Sequence, residues 1–268
     1  MLDSRFLRKG RPTIWGHRGA SLDAPENTLA SFELAARQGA DGIELDAQRC
    51  ASGEVVVFHD VSLGRVTGHP GLLEETTWEV LRRLDAGARK GARFAGERIP
   101  LLAEVLAQMP PGLLVNIELK CDRPDDRGLT AETIGVVLAA GAQERVLFSS
   151  FNPFCLARAR ALAPSLPRAL LFEQDAGFAL RQGRAAPLLG VAAVHPEAVL
   201  ATREAVARFR RRGYSVACWT VDDPAQAQAL FESGVAGIIT NAPGAMRERF
   251  EEPLSTRSRG DRSHSTAG

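Results

Sequence analysis

The chain alternates short apolar runs with longer amphipathic stretches from one end to the other. Residues 13–16, 42–46, 113–119, 146–149, 169–172, 190–194, 214–219 and 236–240 are apolar-rich and read as buried strands. Between them, residues 29–38, 101–108, 130–140, 153–162, 178–184, 202–212, 224–233 and 243–250 read as helices, the stretch 178–184 being the weakest. Pro153 suits a helix start, Asp222 or Asp223 suits an N-cap, and Gly234 suits a helix end. Residues 54–58 form one more extended stretch, joined to 42–46 through Ser52 and Gly53 and counted with it. The result is eight strand–helix steps. Alternation of this kind predicts a parallel sheet, and eight units in this length fit a closed barrel better than an open, doubly wound sheet. The predicted fold is therefore α/β, a (β/α)₈ TIM barrel.

One stretch breaks the rhythm. Residues 60–100 are rich in Gly and Arg and carry a helical pattern at 77–84, so they read as an insertion between the second strand and its helix. Long connections of this type often form walls or lids. Residues 1–252 read as the barrel, and the polar, apolar-poor segment 253–268 reads as a disordered tail.

Composition narrows the picture further. At 268 residues, with 45% hydrophobic and 24% charged residues, the chain is an ordinary globular protein large enough to need no staple. A net charge of +1 supplies no field to attract nucleic acid or an acidic membrane. No apolar stretch reaches the ~18 residues of a membrane span, and no apolar run follows the basic segment 1–12. The expectation is no signal peptide, no stable membrane insertion and a cytoplasmic location. Cys50, Cys121, Cys155 and Cys218 are dispersed and form no C-x-x-C pair, which suits thiols in a reducing compartment better than disulfides or zinc. Monomer and homodimer both remain open.

The candidate chemistry concentrates between Trp15 and Asp60. Residues two apart on a strand face the same side, so Glu44 and Asp46 point together into the barrel mouth. Two carboxylates that close repel each other, and a hard divalent cation relieves the conflict. Glu118, near the end of a strong strand, adds a third carboxylate, with Asn116 and Lys120 on its face. An ordinary salt bridge explains any one of these acids equally well. Three at strand ends favour a site, because barrel enzymes place reacting groups on that rim.

His17 and His59 also follow strand-like runs. A lone histidine is more often structural, but a pair can divide the proton-accepting and proton-donating work of cleaving a phosphodiester. Arg18 and Lys120 offer charge for phosphoryl oxygens. His195, before Pro196, fits a rim position; His69 in the insertion reads as solvent-facing. Trp219 could form a pocket wall, and Ser149, Ser150 and Asn241 could line the rim. The chain contains no G-x-S-x-G, P-loop or dinucleotide fingerprint.

Taken together, Gly16–His17–Arg18–Gly19, Pro25–Glu26–Asn27–Thr28, Glu44–Leu45–Asp46, Phe58–His59–Asp60, Asn116–Ile117–Glu118–Leu119–Lys120, Trp219–Thr220–Val221 and Gly237–Ile238–Ile239–Thr240–Asn241 resemble, in order and spacing, the glycerophosphodiester phosphodiesterase family. The resemblance covers about residues 13–250. It implies a (β/α)₈ barrel with a small insertion after the second strand. It implies a divalent cation, Mg²⁺ or Ca²⁺, held by Glu44, Asp46 and Glu118. It further implies a His17/His59 acid–base pair, Arg18 and Lys120 near the phosphate, and Glu26 and Asn27 in support. The expected reaction is hydrolysis of a small glycerophosphodiester to sn-glycerol 3-phosphate and an alcohol, with water or the substrate's own 2-hydroxyl attacking. Leu101 stands where the family commonly has Thr. A lipid-directed phosphodiesterase and a non-catalytic, phospholigand-binding barrel are the rival readings.

Overall fold

The computed structural model describes residues 2–251. Nine strands form one sheet: β1 (Thr13–His17), β2 (Gly42–Arg49), β3 (Val55–Val57), β4 (Leu114–Leu119), β5 (Val146–Ser150), β6 (Arg168–Phe172), β7 (Ala193–Pro196), β8 (Ser215–Cys218) and β9 (Gly237–Thr240). All neighbours are parallel except β3, and β1 pairs with both β9 and β2, so eight strands close into a ring. β3 lies outside the ring as an antiparallel partner of β2, with Ala47 opposite Val57 and Arg49 opposite Val55. The expected TIM barrel is present, and the extended stretch 54–58 is this extra strand.

The period-two pattern sorts each strand into two faces. Ile43, Leu45, Val115, Ile117 and Phe148 point outward and bury against Phe32, Ala35, Val105 and Ile134 of the surrounding helices. Leu170, Phe172, Val194, Val216 and Ile238 do the same against Leu156, Val206, Phe209, Leu230 and Met246. The inward face changes character along each strand. Its first positions are apolar: Trp15, Leu114, Leu147, Ala169 and Ala193 cluster with Ile239, and Phe6 closes the floor. Its later positions are polar: His17, Glu44, Asp46, Asn116, Glu118 and Ser149. A dry floor and a polar mouth thus follow from one gradient repeated on adjacent strands.

Gly42 belongs to that floor, where it lies opposite Trp15. A Cβ there would sit 2.6 Å from Cζ3 of Trp15 and 2.8 Å from Cβ of Leu114. Neither atom is free to retreat, so Gly42→Ala should cost about 1–3 kcal/mol through overpacking. Urea unfolding monitored by tryptophan fluorescence measures this directly, and an unchanged midpoint would refute it.

Several boundaries differ from expectation. The stretch 178–184 yields one short helix, Phe178–Arg181, and a second, unexpected one follows at Ala186–Leu189. The second ends on Gly190 at φ 59, a left-handed turn that cannot begin a strand, so β7 starts at Ala193 and runs to Pro196. The helical pattern at 77–84 yields one turn, Trp78–Leu81. Asp223 is the N-cap, accepting from the Ala225 N–H at 2.9 Å. Leu101 occupies an N-cap without a capping side chain, and Glu104 closes back on its N–H at 2.8 Å. The segment 253–268 lies outside the described residues.

The insertion folds over an apolar centre of its own, built from Phe58, Leu63, Leu73, Leu81 and Ile99. Its two ends lie side by side. The Val57 N–H donates to Pro100 O at 2.9 Å, and Val56 bridges Leu101.

Candidate active site

Strand register assembles the site. His17 is opposite Glu44 across β1 and β2; Asp46 is opposite Glu118 across β2 and β4; Glu118 is opposite Ser149 across β4 and β5. Glu44, Asp46 and Glu118 each offer an oxygen lying within 4.8 Å of the others, and all three are buried. Burial and the charges of Asp46 and Glu118 push the Glu44 carboxyl well above its usual range. Burial and Asp46 push Glu118 up to about 7. Burial also works against ionisation of Asp46, but Lys120 and Arg18 outweigh it and hold that carboxyl low. Lys120 Nζ lies 3.1 Å from Glu118 and 3.6 Å from Asp46, and Arg18 Nε lies 3.2 Å from Asp46. The chain's own cations therefore stabilise one ionised acid well and leave two under strain. Three buried oxygen donors with surplus negative charge fit a hard divalent cation.

The turn after β1 carries the next layer. Arg18 and Asn27 adopt left-handed backbone, at φ 55 and φ 57. Such conformations cost roughly 1–3 kcal/mol outside glycine and persist where the surroundings fix them. Here the Arg18 N–H donates to Glu44 at 3.0 Å, and its carbonyl accepts from the Asn27 N–H at 3.0 Å and from Ser31 at 2.9 Å. Gly19, at φ 85, presses so closely on Ser31 that any Cβ would collide with it. Thr28 then caps the helix Leu29–Arg37. Asn27 Nδ2 donates to Asp46 at 2.8 Å, so this turn braces the acid cluster.

Each histidine is tethered through Nδ1. Asn241 donates its Nδ2 to Asp222 at 2.7 Å, and a carboxylate can only accept, so Oδ1 of Asn241 is the atom that faces His17. His17 Nδ1 lies 2.7 Å from that oxygen and must carry the proton. Nε2 is left as the lone-pair nitrogen. Burial and the neighbouring Arg18 push His17 below its usual value, which keeps the ring neutral. His59 Nδ1 lies 2.8 Å from Asp60 Oδ1. Burial raises Asp60, but hydrogen bonds from Arg65 and His59 outweigh it and hold it at about 2. Arg65 also grips Glu26 at 2.9 Å, and Glu26 accepts from Arg18 at 3.0 Å. His59, Asp60, Arg65, Glu26, Arg18 and Asp46 thus form one chain of alternating polarity.

His17, Arg18, Glu44, His59, Glu118 and Lys120 line a cavity of about 280 Å³, together with Leu171, Glu173 and Trp219. The indole of Trp219 is fixed by a 2.8 Å hydrogen bond to His195 O and by an edge-on contact with Phe151 at 5.3 Å. The Asn116 amide and the Ser149 hydroxyl are buried in this cavity wall and have no hydrogen-bond partner among the described residues. His195 corrects the rim expectation. Its ring is buried inside the barrel and lines a crevice at the floor beside Phe6 and Trp15, and burial lowers it to about 3. His69 is half-buried rather than open to solvent.

Ten of the residues singled out in the sequence, His17, Arg18, Glu26, Asn27, Glu44, Asp46, His59, Glu118, Lys120 and Trp219, come together at this mouth. Sequence reasoning missed Asp60 and Arg65 as tethers, and read Asp222 only as a cap. Glu173 was also missed, although it follows the inward-facing Leu171 by two residues, a spacing that could have revealed it.

A closed (β/α)₈ barrel with acids, histidines and cations gathered at the C-terminal rim has the layout of a barrel enzyme. The chain belongs to the glycerophosphoryl diester phosphodiesterase family, whose profile matches residues 17–245. It is 37% identical over 235 residues to a glycerophosphodiester phosphodiesterase of Caldanaerobacter subterraneus subsp. tengcongensis, covering 86% of this chain and 94% of that protein. A Bacillus altitudinis enzyme of the same name is 33% identical over 86% of this chain and 94% of its own length. An Oleispira antarctica phosphodiesterase, solved in complex with the product sn-glycerol-3-phosphate, superposes with a TM-score of 0.81 at 33% identity. That match covers 92% of this chain and 98% of the other.

Proposed function

We propose that the protein hydrolyses small glycerophosphodiesters to sn-glycerol 3-phosphate and an alcohol with the help of a divalent cation, Mg²⁺ or Ca²⁺. The observation that carries this reading is the buried Glu44–Asp46–Glu118 cluster opening into the cavity that holds both histidines. The three carboxylates would hold the cation, which when bound supplies Lewis-acid stabilisation of a phosphoryl oxygen. Arg18 and Lys120 bind and orient the phosphate from the same side. His17 accepts at Nε2 the proton of the nucleophile, water or the substrate's 2-hydroxyl, as its oxygen bonds to phosphorus, the role its neutral, Nδ1-protonated form allows; on the second route a water then opens the cyclic phosphate to sn-glycerol 3-phosphate. His59 gives a proton to the departing alcohol oxygen as the P–O bond breaks, and Asp60 keeps its ring in place. Glu26 and Asn27 position Arg18 and Asp46. Trp219 forms the wall against the substrate.

This assignment makes Asp222 and Asn241 positioning residues for His17. Asn241→Ala or Asp222→Ala should lower kcat by ~10–100-fold with little change in KM, as loss of an outer partner commonly does. Steady-state kinetics separate the two constants, and a rise in KM alone would remove the role.

No helix among the described residues is long and apolar enough to cross a membrane. Four unpaired thiols at Cys50, Cys121, Cys155 and Cys218 accord with a reducing, cytoplasmic setting. The reading is tested by following sn-glycerol 3-phosphate release from glycerophosphocholine and glycerophosphoethanolamine with Mg²⁺, Ca²⁺, Mn²⁺ or EDTA. Cation-dependent release is expected. No release with any cation, together with choline release from lysophospholipid vesicles, would transfer the assignment to lipid substrates.

A further inference from the structure

A second cavity, of about 510 Å³, adjoins the catalytic one. The two share His59, Glu118, Lys120 and Phe151, whereas His17 and Trp219 border only the smaller. A group attached to the phosphoryl centre on the His59 side would therefore extend into the larger space. On the proposed reading, that group is the departing alcohol.

The wall of this annex alternates in sign. Glu74 pairs with Arg123 and, at 3.3 Å, with Arg127, and Asp122 lies 3.6 Å from Arg123. Asp125 accepts from the Arg127 N–H at 3.0 Å. The buried Nε of Arg49 has no hydrogen-bond partner among the described residues, and the charge of Arg49 acts on Glu54 only through space. Among the described residues, Phe151 is the one phenyl or indole ring in this wall. Quaternary ammonium groups are recognised by several aromatic faces, which this wall does not provide. Nor does it present a block of unpaired guanidinium groups for an extra phosphate, since two of its three arginines are already held by Glu74. It presents donors and acceptors in close alternation. A hydroxyl both donates and accepts, so a molecule with several hydroxyls matches such a wall at each position.

We infer that the annex is the leaving-alcohol subsite and that it selects a neutral polyol, of the glycerol or inositol kind, over choline. This rests on the proposed phosphodiesterase reading and adds the substrate class. Arg49 is the specificity residue, because its guanidinium is the donor in the annex least committed to the protein.

The test measures kcat/KM for sn-glycerol 3-phosphate release from the glycerol, inositol, choline and serine diesters, with the cation that activates best. The polyol diesters should exceed the choline diester by about 10-fold or more, the worth of one well-matched polar contact. Arg49→Gln should lower the inositol diester at least about 5-fold more than the choline diester, an estimate for one charged donor. Arg127→Gln provides a second variant, and melting temperature checks that both are folded. Equal or better turnover of the choline diester, or a clear preference for the serine diester, overturns the polyol assignment while leaving the phosphodiesterase reading intact. Failure to release sn-glycerol 3-phosphate from any diester overturns both.

Discussion

His17→Ala and His59→Ala should each lower kcat by ~10²–10⁴-fold, the usual contribution of a positioned acid or base. The double variant should lose little more than the worse single one, since the two act in one transition state. The pH profile separates their roles. His17 is held below its ordinary value of 6.5 by burial and Arg18. It therefore remains an unprotonated base to more acid pH than a free imidazole. The acid limb of kcat/KM should lie below pH 6.5 and should disappear in His17→Ala. An acid limb retained in His17→Ala would reverse the assignment, and near-normal turnover in both variants would end it.

Glu44→Gln should abolish cation-dependent turnover, by at least ~10²-fold, while leaving the cation-free fold as stable as before or more so at pH 8. The reason is the direction in which the cluster titrates. Glu44 and Glu118 are both raised, Glu118 to about 7 from an ordinary value of 4.5. A raised group contributes stability that is fully present below its unfolded value and is lost as pH climbs through its folded value. Without a cation, the melting temperature of the native chain should therefore fall from pH 4.5 upward through pH 7 and beyond. A tenfold difference in proton affinity between the folded and unfolded chain is worth about 1.4 kcal/mol, so the loss is on the order of a few kcal/mol. Saturating Mg²⁺ or Ca²⁺ should reverse it, more strongly at pH 8 than at pH 5. Binding should also release protons, visible as a buffer-dependent heat in calorimetry. A melting temperature independent of pH in EDTA, or a Glu44→Gln variant still stabilised by cation, would show that the cluster is not the binding site.

The sequence exposes the parts of this site that obey short-range periodicity. Glu44 with Asp46, and Asn116 with Glu118 and Lys120, are legible because strand side chains repeat every two residues. The barrel is legible because most of its strands are separated by well-patterned helices. What stays hidden is long-range. Arg65 meets Glu26 across 39 positions, and Asn241 meets His17 across 224. No spacing rule connects them; they meet only once the ring closes. His195 misleads because Pro196 resembles a turn signal, whereas here it is the last residue of β7. Gly190 sits in an apolar run that reads as strand, yet its left-handed backbone forbids one.

The insertion that leaves after β3 and returns at Pro100 joins the barrel at two adjacent points. It supplies Val61 and Glu74 to the wall of the larger cavity, while Glu44, Asp46 and Glu118 all stand on strands of the ring. Parts that reshape the entrance are thus carried on a loop whose length can change without altering barrel closure. The three carboxylates, by contrast, are bound to the geometry of the ring. On the proposed reading, variation in such a loop can redirect which alcohol is accepted while the cleavage machinery stays fixed, so selection can act on the two almost independently.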